Sequence, residues 1–481
     1  MSSDQMSSLS TDPCFLNATE ALQLFRRKAL SPVELLDAQI ARAESVEPTL
    51  NALSDRYWER ALEQARAAER CYLAAPDKAG ALTGVPTVIK NEHAMVGART
   101  TQGSWIGGDE PDTENAPIVQ RLLDAGAVIH AQGNVPEFFL ATFTRSERHG
   151  VTRNPWNPEF TPGGSSGGCA AALASGITTL ATGSDIGGSI RVPSAYCGTV
   201  GLKPSYGRVP EATFFYALNT CNHNGAMARS VADCLLMFNV INGPHPVDPA
   251  TVKPAIQIDP GLSSVSGLRI ALSADLGFFR VAPDVARNIR ETAAMLRALG
   301  AEVEEIALGW DASAGDAISH ILGFMMGPGV AETVDLHGNR ISDYVRTFAG
   351  RTRHITQADY LAAHHIVERM HRALQKVLVD FDALICPTMA ALDTPAEGVA
   401  DSHAELLDKA MTYPFNLLSR HPVLSVPSGF GANGVPTGLQ IVGRTFDEPT
   451  VFRIGLGLEK ALRWNARHPQ LATDLLQEPR S

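Results

Sequence analysis

Two glycine–serine blocks set close together constrain this chain more than any other feature. Thr161 to Gly168 reads Thr-Pro-Gly-Gly-Ser-Ser-Gly-Gly, and Asp185 to Arg191 reads Asp-Ile-Gly-Gly-Ser-Ile-Arg. A run of small residues joins them. Glycine reaches positive φ and lets another group approach the main chain closely. Gly-Gly pairs flanking serines therefore predict backbone shaped around hydroxyls and N–H groups. Two crossing loops would use glycine in the same way. A serine among the glycines of both blocks, joined by a short apolar element, points instead to chemistry.

The rest of the chain reads as alternating helices and strands. Asn17 with Glu20 has the form of a capping box. Ser31-Pro32-Val33-Glu34 repeats the signal, with proline at the first helical position of a helix running to about Glu44. A third helix is expected over about 54–72, and the first strand over Pro86–Ile89, ending in Lys90. The order helix, glycine, strand occurs at 116–125, Gly126 and 127–130, and again at 284–299, Gly300 and 301–304. Further strands are expected at 267–272, 383–388, 424–427 and 438–443, with helices to about 242 and to about 462. This alternation predicts an α/β fold with many parallel pairings. Residues 1–13 read as a loose leader and 243–266 as a surface connection. Residues 312–378 read as mostly helical, broken by Gly-Pro-Gly at 327–329.

Composition removes several function classes. Of 481 residues 44% are hydrophobic, with 41 glycines and 30 prolines, which fits a compact chain with a large core and not a low-complexity one. The net charge of −11 lacks the basic footprint of a nucleic-acid binder. The 7 cysteines are odd in number and contain no C-x-x-C pair, which argues against a disulfide framework and fits a reducing cytoplasm. No apolar run approaches the ~20 residues that span a bilayer, so no membrane partner is expected. His354, His364, His365 and His371 invite a metal reading. His364 and His365 are adjacent, however, and no carboxylate stands at a ligand spacing such as H-E-x-x-H. Neither a metal nor a cofactor is expected.

The motifs together resemble the amidase signature family, serine hydrolases that cleave amide C–N bonds. The resemblance is carried by Gly84–Lys90, Thr100–Ser104, Ala125–Ile129, Asn154–Asn157, Pro162–Gly168, Thr182–Pro193, Gly198–Pro204, Pro387-Thr388 and Gly434–Gly443. It spans about 15–462. It implies a central mixed, largely twisted β-sheet flanked by α-helices on both faces. It also implies one domain over 1–481, with N-terminal helices over 1–75, a signature core over 80–245 and a variable substrate-pocket region over 312–420. The family's catalytic residues map to Lys90, Ser165 and Ser189, with the family's spacing and a cis peptide before Ser165.

A serine hydroxyl is a weak nucleophile at neutral pH and needs a base. No histidine lies near either block; His149 and His223 are the closest. Lys90 can serve only when neutral, a state that burial among few charges would favour. The resemblance implies a relay in which Ser189 gives its proton to Ser165 and Ser165 gives one to Lys90. The oxyanion of a tetrahedral intermediate needs N–H donors, and Ile186, Gly187 and Gly188 supply consecutive ones beside Ser189. Asp185 and Arg191 are expected to fix this loop, and Ser166 to support it. Cys169 reads as a packed small residue, since no basic partner is evident to activate it.

Asn91 stands where the family usually has Asp, and the segments 131–134 and 222–227 depart from its usual pattern. These departures suggest a divergent pocket. Within the family the main rival reading is the glutaminase (A) subunit of a Glu-tRNA(Gln) amidotransferase. That subunit usually carries Ser-Arg-Tyr-Asp-Gly in the variable region, where this chain has the apolar Ile321–Pro328. Phe138, Phe139, Phe324, Met325 and Met326 suggest instead an apolar group on a small amide, anilide or carbamate. Ester and carbamate (urethane) cleavage are side reactions of the same chemistry. A monomer or homodimer is expected; a non-catalytic subunit of a larger assembly is the reading from another class.

Overall fold

The computed structural model describes residues 12–107, 110–211 and 220–473. Residues 1–11 of the expected leader and 474–481 of the expected single domain lie outside that description.

Thirteen strands appear among the described residues. In chain order they are β1 (Leu53–Arg56), β2 (Pro86–Lys90), β3 (Val128–Gly133), β4 (Arg145–Ser146), β5 (Gly150–Val151), β6 (Leu180–Ser184), β7 (Val200–Lys203), β8 (Asn224–Ala228), β9 (Arg269–Leu272), β10 (Glu302–Glu305), β11 (Ala383–Pro387), β12 (Val423–Phe430) and β13 (Pro436–Gly443). Strands β4 and β5 pair by themselves. The other 11 form one sheet in the order β1-β3-β2-β6-β8-β7-β12-β13-β11-β9-β10. Pairing is parallel at β3-β2-β6 and at β11-β9-β10, and antiparallel through the centre and at β1. The sheet is therefore mixed, as the resemblance implies, with parallel pairing confined to two flanks.

Helices cover both faces because the strands are apolar on both. Ile89, Leu180, Ala226, Ile270 and Ile441 point into one core with the helices Ala18–Arg26, Pro117–Asp124, Val231–Ile241 and Glu448–Leu462. Their neighbours Val88, Ala181 and Met227 face the opposite side, where the wholly buried helix Gly167–Ala174 packs. Farther along that side, Ala271, Leu384 and Val442 meet the helices Ser313–His337, Asp343–Thr352 and Gln357–Asp380. The period of two along each strand thus assigns each core its residues.

Both N-terminal capping boxes form. Ser31 Oγ accepts from the N–H groups of Val33 and Glu34 at 3.1 Å each. Two local expectations are corrected. The segment expected to open the third helix is strand β1, and the helix is Trp58–Ala74; pairing with β3 overrides the helix-forming composition. Gly-Pro-Gly at 327–329 does not break its helix, which runs from Ser313 to His337 through Pro328. Gly323 and Gly327 let this helix press on Thr352, where an added Cβ would come within 2.9 and 2.7 Å of its side chain. That packing outweighs the hydrogen bond that proline removes.

Gly168 fixes how the first glycine–serine block meets the sheet. Its N–H donates to the Asn134 carbonyl at 3.1 Å. A Cβ there would fall 2.2 Å from Asn134 N and 2.4 Å from Ala52 O, both main-chain atoms that cannot swing aside. Gly168→Ala is expected to destabilise the fold by about 1–3 kcal/mol, towards the upper end of that range for overpacking. A urea unfolding curve measures it as a lowered midpoint.

Candidate active site

Lys90 is the last residue of β2, and its side chain is wholly buried. Parallel pairing sets Thr87 opposite Leu180 and Val88 opposite Ala181, which brings Lys90 beside the end of β6. Its N–H donates to Thr182 Oγ1 at 2.9 Å. Its Nζ reaches Ser165 Oγ at 2.8 Å, Ser184 Oγ at 2.7 Å and Glu92 Oε2 at 3.0 Å. The ring of Phe139 covers it, with its centroid 4.8 Å away.

Glu92 arrives there by a tight turn after β2, in which the N–H groups of Glu92 and His93 both donate to the Lys90 carbonyl. Ser184 Oγ donates to Glu92 Oε2 at 2.5 Å. Burial pushes the Glu92 carboxyl up, but the Lys90 charge and these hydrogen bonds outweigh it and hold the group below its ordinary value. The expectation of few charges around Lys90 is thereby corrected: a carboxylate sits against it. The signal was a glutamate two residues beyond a strand-end lysine. Asn91, the noted departure, turns away. Its Oδ1 accepts from the N–H groups of Thr101 and Gln102 at 3.1 and 2.8 Å, tying down the Thr100–Ser104 loop.

The two glycine–serine blocks touch directly. Ser166 N donates to the Ser189 carbonyl at 3.2 Å, and the Gly164–Ser165 peptide is cis. Ser165 Oγ is bonded to Lys90 Nζ at 2.8 Å, while Ser166 Oγ is buried without a hydrogen-bond partner among the described residues. The backbone N–H groups of Ile186, Gly187, Gly188 and Ser189 also find no protein acceptor among the described residues. Gly188 is in the positive-φ region at 131°, and a Cβ there would lie 2.1 Å from Thr412 Oγ1. That hydroxyl donates to the Gly187 carbonyl at 2.6 Å.

Asp185 and Arg191 close the loop into a wholly buried ion pair. Arg191 Nε donates to Asp185 Oδ2 at 2.9 Å and one terminal nitrogen to Oδ1 at 2.8 Å. The remaining guanidinium donors reach the Thr412 carbonyl at 3.0 Å, Gln440 Oε1 at 2.6 Å and Asn416 Oδ1 at 2.8 Å. Burial raises the Asp185 carboxyl, yet the Arg191 charge and its hydrogen bonds hold it well below its ordinary value. Neither His149 nor His223, the histidines nearest the blocks in sequence, bonds to a serine of either block. His223 Nδ1 lies 3.1 Å from the Asp185 carbonyl oxygen. Burial pushes the Cys169 thiol up to about 12.

Ser165, Ser184, Ile186, Gly187, Gly188, Ser189 and Glu92 line one cavity of about 940 Å³, counting its open mouth. Phe138, Phe139 and Leu140 form one wall, and Leu322 and Met326 another. Tyr344, Phe348, His403 and Leu406 also line it, together with the polar Thr142, Asn222, Asp401 and Ser402, and among the described residues no lysine or arginine does. Of the pocket residues expected from sequence, Phe324 and Met325 do not line it. Leu322 and Met326 are four apart on one helix face, which turns Phe324 outwards to stack on Tyr360 at 4.7 Å. Met325 packs against the neighbouring core. The lining residues Phe348, His403 and Leu406 went unread because nothing local distinguishes them from ordinary core. The histidines at 354–371 form no cluster of three metal-ligating side chains among the described residues. No helix among them is long and apolar enough to cross a membrane.

A family model described as Amidase matches residues 34–452. The chain is similar to an acylamidase of Rhodococcus erythropolis, 34% identical over 469 residues that cover 95% of this chain and 97% of that protein. It is also similar to a glutamyl-tRNA(Gln) amidotransferase subunit of Geobacter metallireducens, 34% identical over 92% of this chain and 96% of that one. A solved bacterial aryl acylamidase of the amidase signature enzymes superposes with a TM-score of 0.87 at 29% identity, covering 97% of this chain and 99% of that one.

Removing one member of a buried ion pair strands the other charge, at a cost of about 3–5 kcal/mol. Asp185→Ala is expected to lose stability on that scale, read as a lowered urea midpoint. Asp248→Ala, at a buried aspartate outside this network, provides the comparison.

Proposed function

The chain belongs to the amidase signature family, and on that premise we propose that it is a serine amidohydrolase acting through an acyl-enzyme on Ser189. The substrate is a small amide, anilide or carbamate carrying an apolar group. One observation carries the reading. Ser189, Ser165 and a run of unpaired N–H groups line the same cavity, with a buried lysine amine 2.8 Å from Ser165 Oγ.

In this reading neutral Lys90 takes the Ser165 proton as Ser165 takes that of Ser189. The Ser189 oxygen forms a bond to the substrate carbonyl carbon. Negative charge then builds on the carbonyl oxygen and meets the free N–H groups of Ile186, Gly187 and Gly188, donors already oriented before reaction. As the C–N bond breaks, the relay returns its proton to the leaving amine. Water repeats the sequence on the acyl-enzyme, releasing a carboxylic acid and restoring Ser189. Asp185 and Arg191 hold the loop, and Ser166 supports it through its N–H.

The walls favour an apolar group over glutamine. Leu322 and Met326 give the variable segment an apolar face on the cavity, and among the described residues no lysine or arginine lines it. The amidotransferase relatives make glutamine the necessary control. A screen of anilides, amides, esters and carbamates, with glutamine and ammonia detection alongside, is expected to give turnover of apolar substrates and none of glutamine.

Ser189→Ala is expected to abolish both hydrolysis and labelling by a fluorophosphonate; substantial residual turnover would refute the mechanism, and an unlabelled, inactive wild type would favour a non-catalytic subunit. Lys90→Ala should lower kcat/KM by about 10²–10⁴-fold, the usual weight of general base catalysis. The wild-type rate should rise towards alkaline pH, because the base works only after giving up its proton. Met326→Ala is expected to reduce kcat/KM for bulky apolar acyl groups by about tenfold or more, while an acetyl substrate changes little.

A further inference from the structure

Glu92 has no part in the relay, yet it is buried against the relay's base. Among the described residues Lys90 Nζ has three polar partners: Ser165 Oγ at 2.8 Å, Ser184 Oγ at 2.7 Å and Glu92 Oε2 at 3.0 Å. Ser184 commits its only proton to Glu92, at 2.5 Å, so towards Lys90 it can only accept. An ionised carboxylate is likewise an acceptor alone. A neutral amine has two N–H donors and one lone pair. With the two donors taken by Ser184 and Glu92, the lone pair is left facing Ser165, the one neighbour with a proton to give.

We propose that Glu92 is a positioning residue that, with Ser184, aims the Lys90 lone pair at Ser165 and then holds the ammonium as an ion pair. The inference rests on the reading of Lys90 as the base. In the step concerned the Ser165 O–H bond breaks and an N–H bond forms on Lys90. The new positive charge lies beside the Glu92 carboxylate until the proton returns through Ser165 to the leaving amine. No other co-reactant enters.

The other titratable groups around the pair are His93 and Cys169. His93, from the same turn, is engaged by Thr182 Oγ1 at 2.8 Å and Asn224 Oδ1 at 3.0 Å, and burial lowers its ring below the ordinary value against the opposing pull of Glu92. Cys169, on the helix Gly167–Ala174 behind the pair, stays a thiol because burial pushes it up to about 12. The Phe139 ring covers Lys90 and brings no charge. A glutamate here therefore has a defined consequence: replacing it by a neutral residue removes an opposite charge that favours the ammonium form over the neutral amine.

The test is the pH dependence of fluorophosphonate labelling of Ser189 in the full chain, from about pH 5 to about pH 11, which brackets lysine's ordinary range. It needs no natural substrate. Glu92→Gln keeps an acceptor of similar shape and removes the charge. Its rising limb is expected at least about one pH unit below that of the wild type, the scale on which an adjacent opposite charge acts. Glu92→Asp, which keeps the charge, should restore the limb towards its wild-type position. A merely structural role would lower the rate without moving the limb, so a Glu92→Gln limb that coincides with the wild-type limb overturns the proposal. If Glu92→Gln does not fold, Glu92→Asn removes the same charge and is read the same way. Lys90→Ala runs alongside: labelling at the wild-type rate there would refute the base itself, a failure distinct from an unshifted limb.

Discussion

The site depends on one buried ion pair, Asp185 with Arg191. Two charges taken out of water are tolerated only where every remaining donor and acceptor finds a partner. Here Thr412, Asn416 and Gln440 complete the set. Each lies more than 200 residues from Arg191 along the chain, and Gln440 belongs to β13 in the middle of the sheet. The pair thus pins the loop that carries Ser189 both to the sheet and to the segment that holds Thr412 and Asn416. Thr412 extends the same logic. By bonding the Gly187 carbonyl it draws that oxygen to one side, and in a planar trans peptide the Gly188 N–H must then point to the other. The unpaired donors beside Ser189 are a consequence of how the loop is tied.

A second buried pair, Lys90 with Glu92, lies on the other side of Ser165. Sheet register produces it. Parallel pairing of β2 with β6 puts the lysine against Ser184, and the turn after β2 folds the glutamate back onto both. Both carboxylates here, Asp185 and Glu92, therefore have a basic side chain within hydrogen-bond distance. An interior of this kind would suit the proposed relay, in which protons move between neighbours over a few ångströms, because little of the surroundings must reorganise when the charge shifts.

Much of this was legible in the sequence, and what was legible shares a cause. Capping boxes, helix–glycine–strand units and the two glycine–serine blocks are written in residues adjacent along the chain. Lys90 stood out as a charge ending an apolar strand. What escaped depends on partners far away. Strand β1 forms because β3 is beside it, and the helix through Pro328 persists because Thr352 fits its glycines. Phe324 misses the cavity through helical phase, which an apolar cluster by itself does not reveal. Glu92 could have been found from its neighbourhood to Lys90, but only the turn makes the two meet.

The same division separates chemistry from selection. The proposed reacting groups hang on strand ends and on two glycine blocks, the first so crowded that a Cβ added at Gly164 or Gly168 would strike main chain. The walls that would recognise an apolar group come mostly from elsewhere: Leu322 and Met326 from one helix, Tyr344 and Phe348 from a second, His403 and Leu406 from a third. Leu322, Met326, Phe348 and Leu406 meet the cavity through van der Waals packing, while His403 is held to Ser319 at 2.8 Å and the Tyr344 hydroxyl accepts from Glu137 N–H and donates to the Arg145 carbonyl. Packing of that kind tolerates exchange of shape and volume far better than a hydrogen-bonded charge network does. The apolar part of the wall can therefore vary in width while the ion pairs and the donor loop stay as they are, so the proposed reaction could be offered to different acyl groups without rebuilding the loop that carries Ser189.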